Sequence, residues 1–479
     1  MPHNDELIRL TAREAVAALR RGEVTPAELV AASAARIAAV DGPVNAMPTL
    51  CIERAQKAAR SLKAPDQPGP GWLGGLPLAV KDLNDVAGVR TTYGSPIFAD
   101  HVPARSSYEV LRLEANGALV IGKSNTPEFG AGANTFNEVF GKTRNPWNTA
   151  LTCAGSSGGS AVALATGMVW LATGSDLAGS LRTPASFCSV VGLRPTPGRV
   201  AHGPIEMSFQ TLAVDGPMGR TVGDVALMLD AMAGFVPEDP LTFEAPAVSF
   251  QAAVDAPVAP RKVAFSPNFG IGPVDPEVAA VCEAAARRFA EAGAVVDVAC
   301  PDMSDARETF QTLRAALFAG SRARFFESHR HLYKPEMVWN IEKGLALTQD
   351  DIGRAERRRG EYYRRVVAFL GEWNILASPA AIVPPFDVDT RWVQRVGDHV
   401  FDNYVDWMYI AYAVTLAACP AISVPCGFTK SGLPVGLQLV APPRGEAALL
   451  GAARVLEQMT GLERGVPIDP RAPAARAVA

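Results

Sequence analysis

The chain has 479 residues, 48% apolar and 20% charged, ordinary proportions for a globular protein that buries a large core without staples. A net charge of −4 and a pI near 6.0 leave no basic footprint for nucleic acid and do not favour an acidic membrane surface. The first residues, MPHNDELIRLTARE, lack the basic start, apolar stretch and small-residue cleavage site of a secretory signal, and the longest apolar run, 161–173, is too short for a membrane span. Seven cysteines without a C-x-x-C pair argue against a disulfide framework or a zinc site and fit a reducing cytoplasm.

In chain order, Thr25-Pro26-Ala27-Glu28 is a capping box with proline at the first helical position, which predicts a helix from 26 to about 40. The proline- and glycine-rich stretch 65–75 is a loop. After it, Leu76–Val80 reads as a short buried strand that delivers Lys81 at its end. Helices are expected over 106–116 and 158–167, each followed by a strand, at 118–122 and 168–173. A further helix starts near Thr221, with Asp224 in its first turn. The proline-rich stretch 235–260 leads to a second lobe with a strand at 262–266, a helix from 276 to about 292, a strand near 294–298, and long charged helices at about 305–330 and 349–372. Strand-then-loop character returns at 374–380, and the tail carries a helix near 403–418, strands in AISVP and GLQLV, and a final helix from about 446. Alternating helices and short apolar strands predict an α/β fold with a mixed, largely parallel central sheet.

Two glycine–serine knots interrupt this pattern, AGSSGGSAVALATG at 154–167 and GSDLAGSLRTPASF at 174–187, and a lone lysine ends the strand in LPLAVKDLNDVAG. The plain readings are surface turns and an exposed Lys81–Asp82 charge pair. Gly155–Gly159 also matches G-x-S-x-G with Ser157 at its centre, and that chemistry needs a later histidine, of which His202, His329, His331 and His399 are available. No phosphate-binding glycine loop, dinucleotide fingerprint or metal-ligand spacing occurs. The basic run Arg354–Arg365 reads as a solvated helix face.

Taken together, the knots and the lysine supply serine chemistry without histidine. A hydroxyl is a poor nucleophile until a base takes its proton. Lysine serves as that base only when burial has made it neutral. A second serine can carry the proton between them, and a glycine-rich turn before a helix supplies N–H donors for an oxyanion.

These stretches, in this order, resemble the amidase signature family, as do VIGKSNTPEFG, GKTRNPWN, DGPMGRTVGDVALMLD and CPAISVPCGFTKSGLPVGLQLVAP. Lys81 precedes Ser156 by 75 residues and Ser156 precedes Ser180 by 24, as in that family. The resemblance covers about residues 5 to 460, with a divergent middle at 235–370. It implies a single domain over 1–479, a sheet covered by helices on both faces, a core at 70–230, and a divergent helical lobe at 240–372 over the substrate pocket. It also implies a Ser–cis-Ser–Lys triad: Ser180 as acyl-accepting nucleophile, Ser156 as bridging serine on a cis peptide, and Lys81 as general base. The amides of Leu177, Ala178, Gly179 and Ser180 would form the oxyanion hole. Ser157 and Ser175 would support the triad by hydrogen bonding, while Asp176 and Arg182 would brace the turn. Phe129, Gly130, Ala131 and Gly132 would line the acyl pocket.

The implied function is a cytoplasmic hydrolase of linear carbon–nitrogen bonds, amide or carbamate. It would take a small-molecule substrate and no cofactor, metal, nucleic acid or membrane, and the N-terminal helix would be the face for a homodimer. Competing readings are a glutaminase subunit of a tRNA-dependent amidotransferase and a non-catalytic binding member of the family. Ala154 and Ala178 stand where glycine is usual, and Ser189 replaces a common glycine. Among the middle-lobe aromatics, Trp339, Tyr362, Tyr363 and Trp373 are expected in the core rather than over the pocket.

Overall fold

An eleven-stranded mixed sheet organises the chain in the computed structural model, which describes residues 4–473. Its strands are β1 (Thr49–Leu50), β2 (Pro77–Lys81), β3 (Leu119–Ser124), β4 (Leu171–Asp176), β5 (Val191–Arg194), β6 (Val214–Gly219), β7 (Lys262–Phe265), β8 (Val295–Val298), β9 (Ile375–Pro379), β10 (Ala421–Phe428) and β11 (Pro434–Val440). In space they run β1-β3-β2-β4-β6-β5-β10-β11-β9-β7-β8.

The mixed α/β sheet is as the sequence predicted, with its parallel pairing confined to the flanks. There β2 pairs with β3 and β4, and β7 pairs with β8 and β9. From β4 to β9 the neighbours are antiparallel. The cause is connectivity, because a parallel neighbour needs a long crossover, usually helical. No helix lies between β5 and β6, and the tight turn at 429–433 joins β10 directly to β11.

Successive residues of each strand face opposite sides of the sheet. On one side Leu78, Val80, Leu171, Phe265 and Leu437 join a core with the helices Val222–Met232 and Glu446–Thr460. On the other, Ala79 and Ala172 meet the helices Pro26–Val40, Gly158–Ala165 and Arg182–Cys188. Strands buried on both faces must be apolar throughout, which is why Lys81, wholly buried at the end of β2, stands out.

The predicted capping box holds the helix Pro26–Val40: Glu28 N donates to Thr25 Oγ1 at 3.3 Å and Thr25 N to the Glu28 carboxylate at 2.8 Å. Thr221 and Asp224 cap Val222–Met232 in the same way. The connection 235–260 contains the short helix Phe250–Asp255, and the lobe contains one more helix than expected, Pro335–Leu345. Two helices open the described chain, Asn4–Arg9 and Ala12–Arg21, and their Leu7, Ile8, Ala12 and Val16 are spent in the chain's own core. The basic run is more than a solvated face. Arg365 pairs with Asp305 at 2.7 Å and Arg359 donates to Thr211 Oγ1 at 2.8 Å, tying the helix Gln349–Glu372 to its neighbours.

Candidate active site

The carboxyl ends of β2 and β4 lie side by side and open onto the two glycine–serine knots. Such ends are where open α/β sheets place their ligand sites. Lys81 anchors the group. Its backbone N–H donates to Thr173 Oγ1 at 2.9 Å. Its Nζ donates to Ser156 Oγ at 2.7 Å, Ser157 Oγ at 2.9 Å and Ser175 Oγ at 2.9 Å. Lys81 is 0% exposed and Ser156 2%. Burial pulls the Lys81 ammonium down from its usual value to about 7, against the opposing pull of the Asp215 and Asp176 carboxylates. An amine so placed exchanges a proton near neutral pH, and its hydrogen-bonding neighbours among the described residues are hydroxyls.

The first knot fits because it has almost no side chains. The Gly155–Ser156 peptide is cis, and the helix Gly158–Ala165 starts directly after it. A Cβ on Gly159 would lie 2.3 Å from the Asn125 N and 2.7 Å from the Ala46 O, and one on Gly158 would lie 2.1 Å from Thr135 Oγ1. Only glycine lets this helix end pack so closely. Ser160, one residue on, donates to Thr173 O at 2.8 Å and so pins the helix to β4.

The second knot forms the turn between β4 and the helix Arg182–Cys188. Ser180 is 8% exposed, and its carbonyl accepts from Ser157 N at 3.2 Å, which couples the two knots through backbone. Asp176 holds the turn from inside. Its carboxylate accepts from Gly179 N at 3.0 Å, Leu181 N at 3.1 Å, and Arg182 Nε and Nη2 at 3.0 and 2.8 Å. Arg194 donates to the Asp176 carbonyl, and Arg182 also reaches Ala411 O and Gln438. Burial pushes the Asp176 carboxyl up, but Arg182 and Arg194 outweigh it and hold the group well below the usual carboxylate range. The Gly179 N–H is therefore committed to Asp176 rather than free for a carbonyl oxygen. The N–H groups of Leu177, Ala178 and Ser180 have no acceptor among the described residues.

The segment Phe129–Gly132 passes beside Ser156: a Cβ on Gly130 would lie 3.3 Å from Ser156 Oγ. Phe129 and Gly130 both adopt left-handed backbone, φ 47° and 72°. Phe129 meets the Tyr333 ring and shares an apolar cluster with Phe318, Phe326, Met337 and Ile341, all from the middle lobe, and half-buried Leu177 borders the same cluster. Lys334, which no local sequence pattern marks, donates to Ala131 O at 2.6 Å, and burial lowers it to about 8. None of Trp339, Tyr362, Tyr363 and Trp373 belongs to this cluster. Tyr362 is fully buried, its hydroxyl donating to Ala413 O at 3.0 Å, while Tyr363 is exposed.

Of the histidines weighed for a serine–histidine arrangement, His202 pairs through Nδ1 with the buried Asp215 and has no serine partner among the described residues, while the serine that His329 meets is its exposed neighbour Ser328, at 2.8 Å. Asp215 opens the stretch DGPMGRTVGDVALMLD, but nothing in that stretch assigns it a role. Among the described residues no group of His, Cys, Asp and Glu side chains could hold a metal ion, and no helix is long and apolar enough to cross a membrane.

Comparison with known proteins agrees with this geometry. The family model for Amidase matches residues 28–450. The chain is 36% identical over 467 residues to an acylamidase of Rhodococcus erythropolis, covering 96% of this chain and 97% of that protein. It is 35% identical over 490 residues to a glutamyl-tRNA(Gln) amidotransferase subunit of Moorella thermoacetica, covering 96% and 99%. The crystal structure of a bacterial aryl acylamidase of the amidase signature family superposes with a TM-score of 0.87 at 25% identity, over 97% of this chain and 100% of that one. The chain therefore belongs to the amidase signature family and is an amide-hydrolysing enzyme.

Proposed function

We propose that the protein hydrolyses linear amides of small molecules through an acyl-enzyme on Ser180, with Ser156 as proton relay and Lys81 as general base. The observation that carries this reading is the 2.7 Å contact between the buried Lys81 amine and Ser156 Oγ. Lys81 draws the Ser156 proton as Ser156 draws that of Ser180, whose oxygen forms a bond to the amide carbon. The developing oxyanion meets the free N–H groups of Leu177, Ala178 and Ser180, donors fixed before the reaction. Return of the proton along the same path to the amine nitrogen lets the carbon–nitrogen bond break. Water then attacks the ester, giving up its proton by the same route and releasing the acid and free Ser180. Ser157 and Ser175 hold Lys81 in place, and Asp176 with Arg182 holds the turn.

The Phe129–Gly132 segment is the acyl pocket in this reading, and the aromatic cluster from the middle lobe covers it. An acylamide with an apolar acyl group is the substrate class this lining favours. A chain-long likeness to a glutamyl-tRNA(Gln) amidotransferase subunit supports a second reading, a glutaminase that supplies ammonia to a partner. A fluorophosphonate probe followed by peptide mapping tests the nucleophile: the adduct is expected on Ser180 and absent from Ser180→Ala and Lys81→Ala. A panel of acylamides and glutamine, run with Ser180→Ala as blank, separates the two substrates. An adduct on another side chain, or turnover by Ser180→Ala, overturns the mechanism.

A further inference from the structure

Beside Ser175 of the second knot lies a chain of polar groups, Asp215, Asn84, His202 and Glu109, that the mechanism does not use. In β6, Asp215 sits opposite Ser175 of β4 in antiparallel register. Side chains so paired project from the same face, about 4.5–5.5 Å apart at Cβ. Ser175 is one of the three hydroxyls on Lys81 Nζ. Asp215 is 1% exposed, accepts from Asn84 Nδ2 at 3.1 Å, and pairs through its other oxygen with His202 Nδ1. His202 is the member that reaches solvent, its side chain 24% exposed. Its backbone N–H is held by Asp239 Oδ2 at 2.8 Å.

The far end of the chain is short of protons. Asn84 Oδ1 and both carboxyl oxygens of Glu109 are buried with no hydrogen-bond partner. Buried polar oxygens left so are costly. Burial, reinforced by Asp215, pushes the Glu109 carboxyl well above its usual range. Burial and the Asp215 charge both favour the neutral form of Glu109, while Asn84 Nδ2 donates to Asp215.

We infer that Asp215, coupled to His202 at the protein surface, is a positioning residue that controls how readily Lys81 takes up a proton. The inference rests on Lys81 being the general base of the proposed mechanism. The charges facing Lys81 are few. Asp176 is compensated by Arg182 and Arg194, so Asp215 is the acid whose charge is open to modulation. Lys123, near Glu109, is itself paired with Asp82 at 3.2 Å. An anion at 215 favours the Lys81 ammonium, and burial of the His202 imidazole is outweighed by Asp215, which raises its affinity for a proton. A protonated His202 neutralises Asp215 and makes Lys81 a base at lower pH, so the state of a surface imidazole is felt at the buried amine.

The experiment is the pH dependence of kcat/KM on a fixed acylamide, with probe labelling of Ser180 as the parallel readout. Asp215→Asn is expected to move the rising limb to lower pH by about one unit, the order of a nearby opposite charge. His202→Gln, at a partly exposed position, is expected to move it the opposite way. Glu109→Gln, which replaces a neutral acid by a neutral amide, is expected to leave the midpoint in place. A limb that stays put in both Asp215→Asn and His202→Gln, whatever the drop in rate, overturns the inference, as does a shift of the same sign in both. A shifted limb in Glu109→Gln overturns the neutral assignment of that carboxyl. Failure of the underlying reading looks different: wild-type protein then labels elsewhere, or Lys81→Ala keeps its activity.

Discussion

Lys81 Nζ lies 2.7 Å from Ser156 Oγ, with the lysine wholly buried and the serine nearly so. The amine is poised near 7 because burial disfavours its charge. As the base of the proposed mechanism it must be neutral, so activity is expected to rise with pH through about 7 and to level off above. Below that midpoint kcat/KM falls about tenfold per unit. Lys81→Met is expected to lose at least about a hundredfold in kcat/KM and to lose the limb as well. A pH-rate profile on one substrate checks both; a Lys81→Met enzyme that keeps the wild-type limb contradicts the role.

The Asp176–Arg182 pair is an ion pair shut away from solvent, both side chains 0% exposed. Removing one partner of such a pair strands the other. Arg182→Met is expected to cost about 3–5 kcal/mol in stability, read as a lower urea midpoint at unchanged slope. The pH sign follows from the depressed carboxyl of Asp176. Its contribution is complete above the unfolded carboxylate value of about 4 and fades as pH falls below it. Asp176→Asn is therefore less stable than wild type at neutral pH, and the gap narrows in acid.

The sequence revealed the group around Lys81 better than it revealed the sheet or the lobe. Glycines and serines at a helix start, and a lysine closing an apolar strand, are local signals, and the fold brings Lys81, Ser156, Ser157 and Ser175 within hydrogen-bonding reach. The antiparallel centre was hidden because β6 carries Gly216 and Pro217, residues that read as turn signals. The cover over Phe129 was hidden for another reason. Phe318, Phe326 and Tyr333 lie far along the chain on segments whose pattern gives burial but not partners. Asp215 opens the stretch DGPMGRTVGDVALMLD, but its role was hidden because its neighbours, Asn84, His202 and Ser175, come from three separate segments.

Gly130 is the tightest point of the Phe129–Gly132 segment. It has φ +72°, and a Cβ there would sit 3.0 Å from Leu83 Cδ1 and 3.3 Å from Ser156 Oγ. Left-handed backbone costs an L-residue about 1–2 kcal/mol, and the added methyl presses on the Ser156 hydroxyl. Gly130→Ala is expected to lower kcat at least tenfold, with the protein still folded by circular dichroism. An unchanged kcat would place the acyl pocket elsewhere.

Ser189 ends the helix Arg182–Cys188 in left-handed backbone, φ +57°, and its N–H donates to Ala185 O. This is the capping position that glycine commonly fills, since glycine has no Cβ to clash. Serine there carries a penalty of about 1–2 kcal/mol. Glycine would relieve it but would give back about 0.5–1 kcal/mol through the freedom of its unfolded chain. Ser189→Gly is expected to gain about 0.5 kcal/mol, seen as a higher urea midpoint with the slope unchanged. The opposite end of that helix carries Arg182 and the Asp176 turn. A substitution at 189 touches neither and is expected to leave kcat and its pH limb unaltered, so a gain in stability with altered kinetics would mean that the helix transmits its C-terminal geometry to the turn at Ser180.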